Sequence, residues 1–333
     1  MLINHAISEK FMIPTKPLDP YTISINVGIN TSAFAGTEGT KLTSRMIRER
    51  LNDEANSNTA INVNDTDRSE TFEVHGCSEL HLNVLIENMR REGFELTVSK
   101  VQILFRRSKA NPERLLEPYY EVIVDAPTDY SGDIIEALNH RKGAMIEMFE
   151  FGVDTTRIVY HVALRFLTGF SQELTQSTKG FGVLNQAFLK YDEVINSDLE
   201  KTRKGALISS ETGEAVGYAL SKLQDRGIMY IQPKQKVYRG MIVGQNTRNE
   251  DLEINVSKGK ALSNMRASGS EEAYNLTPPK IMPLPEMLSY INSDECIEVT
   301  PLSLRMRKIA LDATQRNSKI GTVTGNSFKI AED

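Results

Sequence analysis

Residues 71–96 read Thr-Phe-Glu-Val-His-Gly-Cys-Ser-Glu-Leu-His-Leu-Asn-Val-Leu-Ile-Glu-Asn-Met-Arg-Arg-Glu-Gly-Phe-Glu-Leu. Phe72 and Val74 alternate with polar neighbours, the period of a half-buried strand. Leu82, Leu85, Ile86 and Met89 then recur at helical spacing, and Gly93 supplies the C-cap. Phe94 to Phe105 is strand-like again. Working outward to the N-terminal side, Ile23, Ile25, Val27 and Ile29 alternate as a strand. Leu42, Met46, Ile47 and Leu51 make an amphipathic helix, and Ile61 to Val63 is a further short strand. The order is β-α-β-β-α-β, the ferredoxin-like unit in which two helices cover one face of an antiparallel sheet. The unit takes in residues 18–108, behind a linker at 1–17.

The pattern starts over beyond a polar, proline-containing stretch, Arg106 to Pro118. Tyr120, Val122 and Val124 form a strand, and Ile134, Ala137 and Leu138 form a helix that stops at Gly143. Strands follow at Ala144 to Glu150 and Thr156 to Ala163, then a helix over Phe166 to Thr178 and a last strand over Phe181 to Leu189. The expected fold is therefore α+β: two tandem ferredoxin-like (βαββαβ) domains, 18–108 and 113–190, followed by a mixed, β-rich C-terminal domain, 191–333. In that last region strands are expected at Gly205 to Ser209, Gly227 to Ile231 and Val237 to Gly244, with a helix at Glu214 to Leu223. Residues 245–266 lack apolar periodicity and read as a long exposed loop. A short helix near Met287 to Ile291 precedes strands at Ile297 to Val299 and Leu302 to Met306, and the polar tail from Asp312 should fray.

Composition agrees with a globular chain of two or three domains: 333 residues, 40% hydrophobic and 25% charged. Cys77 and Cys296 are far apart and outside any CxxC or Cys/His cluster, which argues against a disulfide scaffold or a structural zinc site. No apolar run approaches the ~20 residues of a membrane span. The expected location is the cytoplasm, with no membrane partner. The net charge of −5 argues against a generic polyanion binder, and the whole deficit lies in residues 1–190. Between 234 and 266, by contrast, Lys234, Lys236, Arg239, Arg248, Lys258, Lys260 and Arg266 outnumber Glu250, Asp251 and Glu253, so that window is locally basic.

Nucleotide chemistry needs a glycine loop with a lysine directly after its last glycine, and no G-x-x-x-x-G-K-[ST] occurs. Gly36-Thr37-Glu38-Gly39-Thr40-Lys41 has the wrong spacing and reads as a loop leading into a helix. Asp129-Tyr130-Ser131-Gly132 fits D-x-x-G but reads as a turn. His75 and His81 bracket Cys77, yet one ends a strand and the other lies in a helix, so neither a metal site nor a Cys/His nucleophile is expected. Glu79 complements a helix N-terminus. No catalytic, cofactor-binding or metal residue is expected.

Gly76 to Leu82, continuing through Ile86 to Leu96, resembles the third domain of translational GTPases of the elongation factor G class, in the wording of the TypA/BipA branch. Gly240-Met241-Ile242-Val243-Gly244, then Asn249, Asp251-Leu252, Asn255, Lys258-Gly259-Lys260 and Met265 to Gly269, carries the same resemblance. So do Leu276-Thr277-Pro278-Pro279 and Glu298-Val299-Thr300-Pro301. The sequence departs from the family where Gly-Arg-Gly is Gly76-Cys77-Ser78 and where Thr37 and Thr40 replace lysines.

The resemblance implies the portion of such a GTPase that follows its nucleotide domain. Units like domains III and V of elongation factor G would precede a family-specific C-terminal domain, with GTP and magnesium belonging to the domain not represented. It implies the ribosome, large-subunit rRNA and tRNA as partners, in ribosome assembly or translation under stress. In the family the loop matching 245–266 reaches toward the peptidyl-transferase centre and the tRNA acceptor end. That makes Arg248, Lys258, Lys260 and Arg266 the expected phosphate contacts and Asn249, Asn255 and Ser263 the expected polar ones. Arg305 and Arg307, on one strand face, are a second candidate. Two alternatives stay open: half of a split GTPase whose nucleotide domain is a separate chain, or a diverged interaction protein without RNA binding.

Overall fold

The computed structural model describes residues 19–150, 152, 154–195, 203–259, 275–319 and 329–330. The first unit comprises β1 (Ile23–Ile29), α1 (Ser44–Ser57), β2 (Ile61–Asp65), β3 (Thr71–Gly76), α2 (Glu79–Arg91), β4 (Leu96–Ser99) and β5 (Gln102–Arg107). Its strands pair antiparallel in the order β2-β3-β1-β4. β4 and β5 take the same edge of β1, with Val27 opposite Val98 and Ile23 opposite Ile103, so they are one strand interrupted at Lys100–Val101.

The expected stripe of α2 is buried throughout, at Leu82, Leu85, Ile86 and Met89, whereas in α1 only Ile47 and Leu51 are buried; Met46 is exposed, and Leu42, also exposed, lies before the helix. The buried residues share a core with Ile25, Val27, Phe72, Val74, Leu96 and Val98. Gly93, at φ +89°, closes α2 as expected: its amide reaches Arg90 O at 3.1 Å and the Phe94 amide reaches Met89 O at 3.2 Å.

The second unit repeats the order with β6 (Leu115–Pro127), α3 (Ser131–His140), β7 (Ala144–Glu150), β8 (Thr155–Ala163), α4 (Leu164–Leu167), α5 (Phe170–Ser177) and β9 (Val183–Glu193). Its antiparallel sheet runs β7-β8-β6-β9. The single helix expected over 166–178 is two helices. Gly169, at φ +76°, breaks the chain between them, and the Arg141 guanidinium takes up the carbonyls of Phe166 and Thr168 that the break leaves unpaired.

The C-terminal region holds β10 (Ala206–Ser209), β11 (Gly213–Glu214), α6 (Gly217–Leu223), β12 (Gly227–Met229), β13 (Lys236–Val237), β14 (Ile242–Asn246) and β15 (Leu252–Ile254). After these come α7 (Leu284–Tyr290), β16 (Glu295–Val299), β17 (Leu304–Lys308), α8 (Ala313–Lys319) and β18 (Lys329–Ile330). One sheet runs β12-β14-β10-β15, and β11 pairs with β13. The strand expected over 237–244 is divided by a turn in which the Met241 amide bonds back to Tyr238 O at 3.1 Å.

This region does not close on itself. β16 pairs antiparallel with β4, Cys296 opposite Ser99 and Val299 opposite Leu96, so the β16–β17 hairpin extends the first unit's sheet. The tail, expected to fray from Asp312, includes α8, and its β18 pairs parallel with β5. The whole is α+β and rich in sheet. Among the described residues no helix is long and apolar enough to cross a membrane.

Candidate nucleic-acid interface

The stretch Gly36 to Lys41 does form an anion-holding turn, but its anion is the protein's own. Backbone N–H groups of Gly36, Glu38 and Gly39 donate to the Glu95 carboxylate at 2.8, 3.1 and 2.7 Å, and the Asn30 side-chain amide adds a bond of 3.0 Å. Burial works to raise the Glu95 carboxyl, and the converging donors outweigh it and hold it below its ordinary value. Asp129 lies in a single 3-10 turn leading into α3, as expected of a turn.

The residues around Cys77 do not converge on a reactive centre. Cys77 Sγ donates to Asp19 O at 3.2 Å, and burial, with the Asp19 charge, pushes the thiol up rather than toward thiolate. His75 bonds the Glu73 carboxylate at 2.6 Å, whereas His81 bonds Ser78 Oγ at 2.9 Å. Burial raises the carboxyl of Glu79 in the first turn of α2. Among the described residues, one group of carboxylates is close enough to share a cation: Asp251, Asp294 and Glu295. The Lys308 ammonium already occupies it, at 2.6, 2.7 and 2.9 Å.

The basic window is more ordered than its lack of periodicity implies. Leu252 to Ile254 adds as a parallel strand to β10, Ile254 and Val256 are buried, and the Val216 amide bonds Val256 O at 2.9 Å. The turn before it is clamped by Gly205 N to Arg248 O at 2.9 Å and by Ala206 N to Asp251 Oδ1 at 2.7 Å. A long structureless loop over 245–259 is thus corrected to a turn, a strand and a short exit. Sequence periodicity missed β15 because its one fully buried residue, Ile254, sits between charged and polar neighbours.

Arg248, Asn249, Asn255 and Lys258 are all exposed, and neither Arg248 nor Lys258 has an ion-pair partner among the described residues. Arg248 and Asn249 precede β15; Asn255 and Lys258 follow it, so the structure sets them at its two ends. Lys260, Ser263 and Arg266 lie outside the described residues.

Arg305 and Arg307 are not a surface pair. They are 9% and 3% exposed. Arg305 bridges Glu298 at 3.2 Å and Glu38, while Arg307 donates to Thr31 Oγ1 at 2.8 Å. Glu298, fully buried, also accepts from Tyr238 Oη at 2.6 Å and Ser32 Oγ at 2.7 Å. The two arginines therefore fasten the 30–40 loop of the first unit to the β16–β17 hairpin, a role that requires knowing which strand lies beside β4.

Sequence comparison bears on these residues directly. The family described as "TypA/BipA C-terminal domain" matches residues 204–313, and that described as "Elongation factor G C-terminus" matches residues 114–202. Along nearly its whole length the chain resembles TypA/BipA proteins. It is 41% identical over 315 residues to the "Large ribosomal subunit assembly factor BipA" of Haemophilus influenzae, which covers 95% of this chain and 51% of that protein. The counterpart of Escherichia coli (strain K12) is 42% identical over 304 residues, 91% of this chain and 50% of that protein. That of Buchnera aphidicola is 41% identical over 305 residues, with 91% and 49% covered. The chain spans about half the length of the curated relatives it matches. The TypA/BipA match takes in β10 to β17, and with them both the basic window and the buried Arg305 and Arg307. The elongation factor G match takes in the second unit, β6 to β9.

Proposed function

We propose that this chain is the ribosome-binding portion of a TypA/BipA-type factor and assists assembly of the large subunit, or translation under stress, through shape and charge rather than bond chemistry. The observation that carries the reading is identity of 41–42%, along nearly the whole chain, to proteins named as large ribosomal subunit assembly factors. Large-subunit rRNA and A-site tRNA are the partners, in the cytoplasm. Arg248 and Asn249 on one side of β15, Asn255 and Lys258 on the other, and Lys260, Ser263 and Arg266 beyond are the contacting residues.

Exposure of the first four supports this, because a lysine or arginine without an internal carboxylate partner is available to a phosphate. Arg305 and Arg307 are omitted, being committed to internal bonds. In this reading the strand orders β2-β3-β1-β4 and β7-β8-β6-β9 are ferredoxin-like units at 18–108 and 113–190, and 191–333 is the family's C-terminal domain. GTP and magnesium belong to the half of the relatives that this chain does not match, and a separate chain carrying that half would be a natural partner.

The test is salt-dependent binding to purified large subunits. Each phosphate neutralised contributes roughly −0.7 to −0.9 to the slope of log affinity against log salt, so Lys258→Ala, Lys260→Ala and Arg266→Ala together should flatten the slope by about 2. An unchanged slope, or no binding by the parent chain, removes the assignment.

A further inference from the structure

β7 is the outermost strand of the second unit: β8 occupies one of its edges, and the other is unpaired among the described residues. All seven of its residues are exposed. Four are large and apolar, Met145, Ile146, Met148 and Phe149, at 44, 54, 45 and 40%. A bare strand edge offers a row of N–H and C=O groups to an extended chain, and proteins ordinarily blunt such edges with charged side chains, proline, bulges or a covering segment. The bulge at Ile146 interrupts the edge, but no proline or lysine protects it. The molecule already fills other edges by adding strands, β16 on β4 and β18 on β5.

Charge narrows the choice of occupant. Glu147 and Glu150 are exposed on β7, and no cation lies within ion-pair distance of either among the described residues. The cross-strand register puts Glu147 and Phe149 on one face, opposite Val159 and Arg157, and Met148 on the other, opposite Ile158. Arg157 is held by Asp125 in a two-bond pair at 2.6 and 2.7 Å. Two carboxylates repel a phosphate backbone, which disfavours RNA here. A two-fold pairing of β7 with a second copy, centred on the strand, puts Glu147 opposite Glu147, and like charges directly opposite are destabilising.

We propose that the outer edge of β7 takes an extended segment of a partner protein by strand addition, with apolar residues against Met148 and Phe149 and lysine or arginine against Glu147 and Glu150. Main-chain hydrogen bonds supply affinity, and the alternation of apolar and acidic positions supplies selectivity. The proposal is independent of RNA binding by the C-terminal region.

The experiment uses the full chain and two short fluorescein-labelled peptides, Lys-Val-Val-Lys-Val and Glu-Val-Val-Glu-Val, with anisotropy as the readout. The basic peptide should bind at least about tenfold more tightly, and the double variant Glu147→Lys, Glu150→Lys should reverse the preference. Both substitutions are at exposed positions, and an unchanged melting curve confirms that the variant is folded. Amide exchange at 145–150 should slow when the basic peptide is added. Equal binding of the two peptides, or unchanged exchange in β7, overturns the proposal. So does a dimer of the free chain that the double variant disperses, since a second copy would then be the occupant, or a single-stranded RNA oligomer that protects the same amides.

Discussion

The two β-α-β-β-α-β units share one strand order, yet the first has strands added on β4 and β5, whereas the second leaves β7 and most of β9 exposed. In the first, β1 is buried on both faces, β4 receives β16, and β5 receives β18. In the second, β7 is exposed along its whole length and most of β9 is exposed as well. Each has an equivalent core between helix and sheet: Ile47, Leu51, Leu82 and Leu85 in one, Ile134, Leu138, Phe170 and Leu174 in the other. Topology fixes that inner layer. What covers the outside depends on residues more than 250 positions away, because Glu38, Ser32 and Thr31 of the first unit bond Arg305, Glu298 and Arg307. Among the described residues, no such fastening reaches β7 of the second unit.

Breaking that fastening gives the largest expected effect. Arg305→Ala leaves the fully buried Glu298 and the nearby Glu38 without their guanidinium, and removing one partner of a buried pair costs about 3–5 kcal/mol. The matching change in the second unit is Arg157→Ala, which removes the Asp125 pair on the sheet surface and should cost far less, since water screens it. Urea unfolding of the two variants, with unchanged m-values, measures the contrast. Equal losses would mean that the hairpin adds no more to the first unit than a surface pair adds to the second.

A smaller effect belongs to the docked terminal strand. Lys329 Nζ lies 2.7 Å and His75 Nε2 2.6 Å from the Glu73 carboxylate. Burial works to raise that carboxyl, but the bonds and charges of His75 and Lys329 prevail and bring it to about 2 from 4.5. The folded-state value lies below the unfolded one, so the stability Glu73 contributes is complete above about pH 5 and is lost as pH falls through 4.5 toward 2. Glu73→Gln should therefore be less stable than the parent at neutral pH, with the gap closing as the solution is acidified across that window. A gap independent of pH would show that the contact is made by shape rather than charge.

The inner layer was legible because it rests on local periodicity. The buried residues of α2 and its closing glycine follow from residues 71–96 alone. The covering was not legible: Ile297 and Val299 read as a strand, but nothing within residues 295–308 says that β4 is its neighbour. Arg305 and Arg307 illustrate the cost, since two arginines on one strand resemble an RNA-facing surface until Glu38 and Thr31 are brought against them. For the candidate interface, local charge located the window and sequence resemblance named its residues. It overlooked β15, in which a single buried isoleucine and backbone pairing to β10 do what an apolar repeat usually does.

The smallest effect compares how the two units end their helices. α2 closes with Gly93 in the left-handed conformation, where the missing Cβ removes the steric penalty. α3 and α5 close with the same pair of hydrogen bonds. Lys142 N reaches Asn139 O at 3.0 Å and Gly143 N reaches Leu138 O at 2.9 Å, while Lys179 N reaches Gln176 O at 3.3 Å and Gly180 N reaches Thr175 O at 2.8 Å. In both, the left-handed position is a lysine, at φ 58° and 53°, and the glycine comes one residue late. A non-glycine residue there costs about 1–2 kcal/mol, and glycine returns part of that relief as chain entropy on unfolding. Lys142→Gly and Lys179→Gly should each therefore stabilise the chain by about 0.5–1 kcal/mol, read as a higher urea midpoint at constant m. Gly93→Lys should lose a similar amount from the first unit, making its cap resemble those of the second. If the two lysine variants are instead destabilised, their side chains contribute packing that outweighs the backbone strain, and the caps of the two units differ in mechanism as well as in residue.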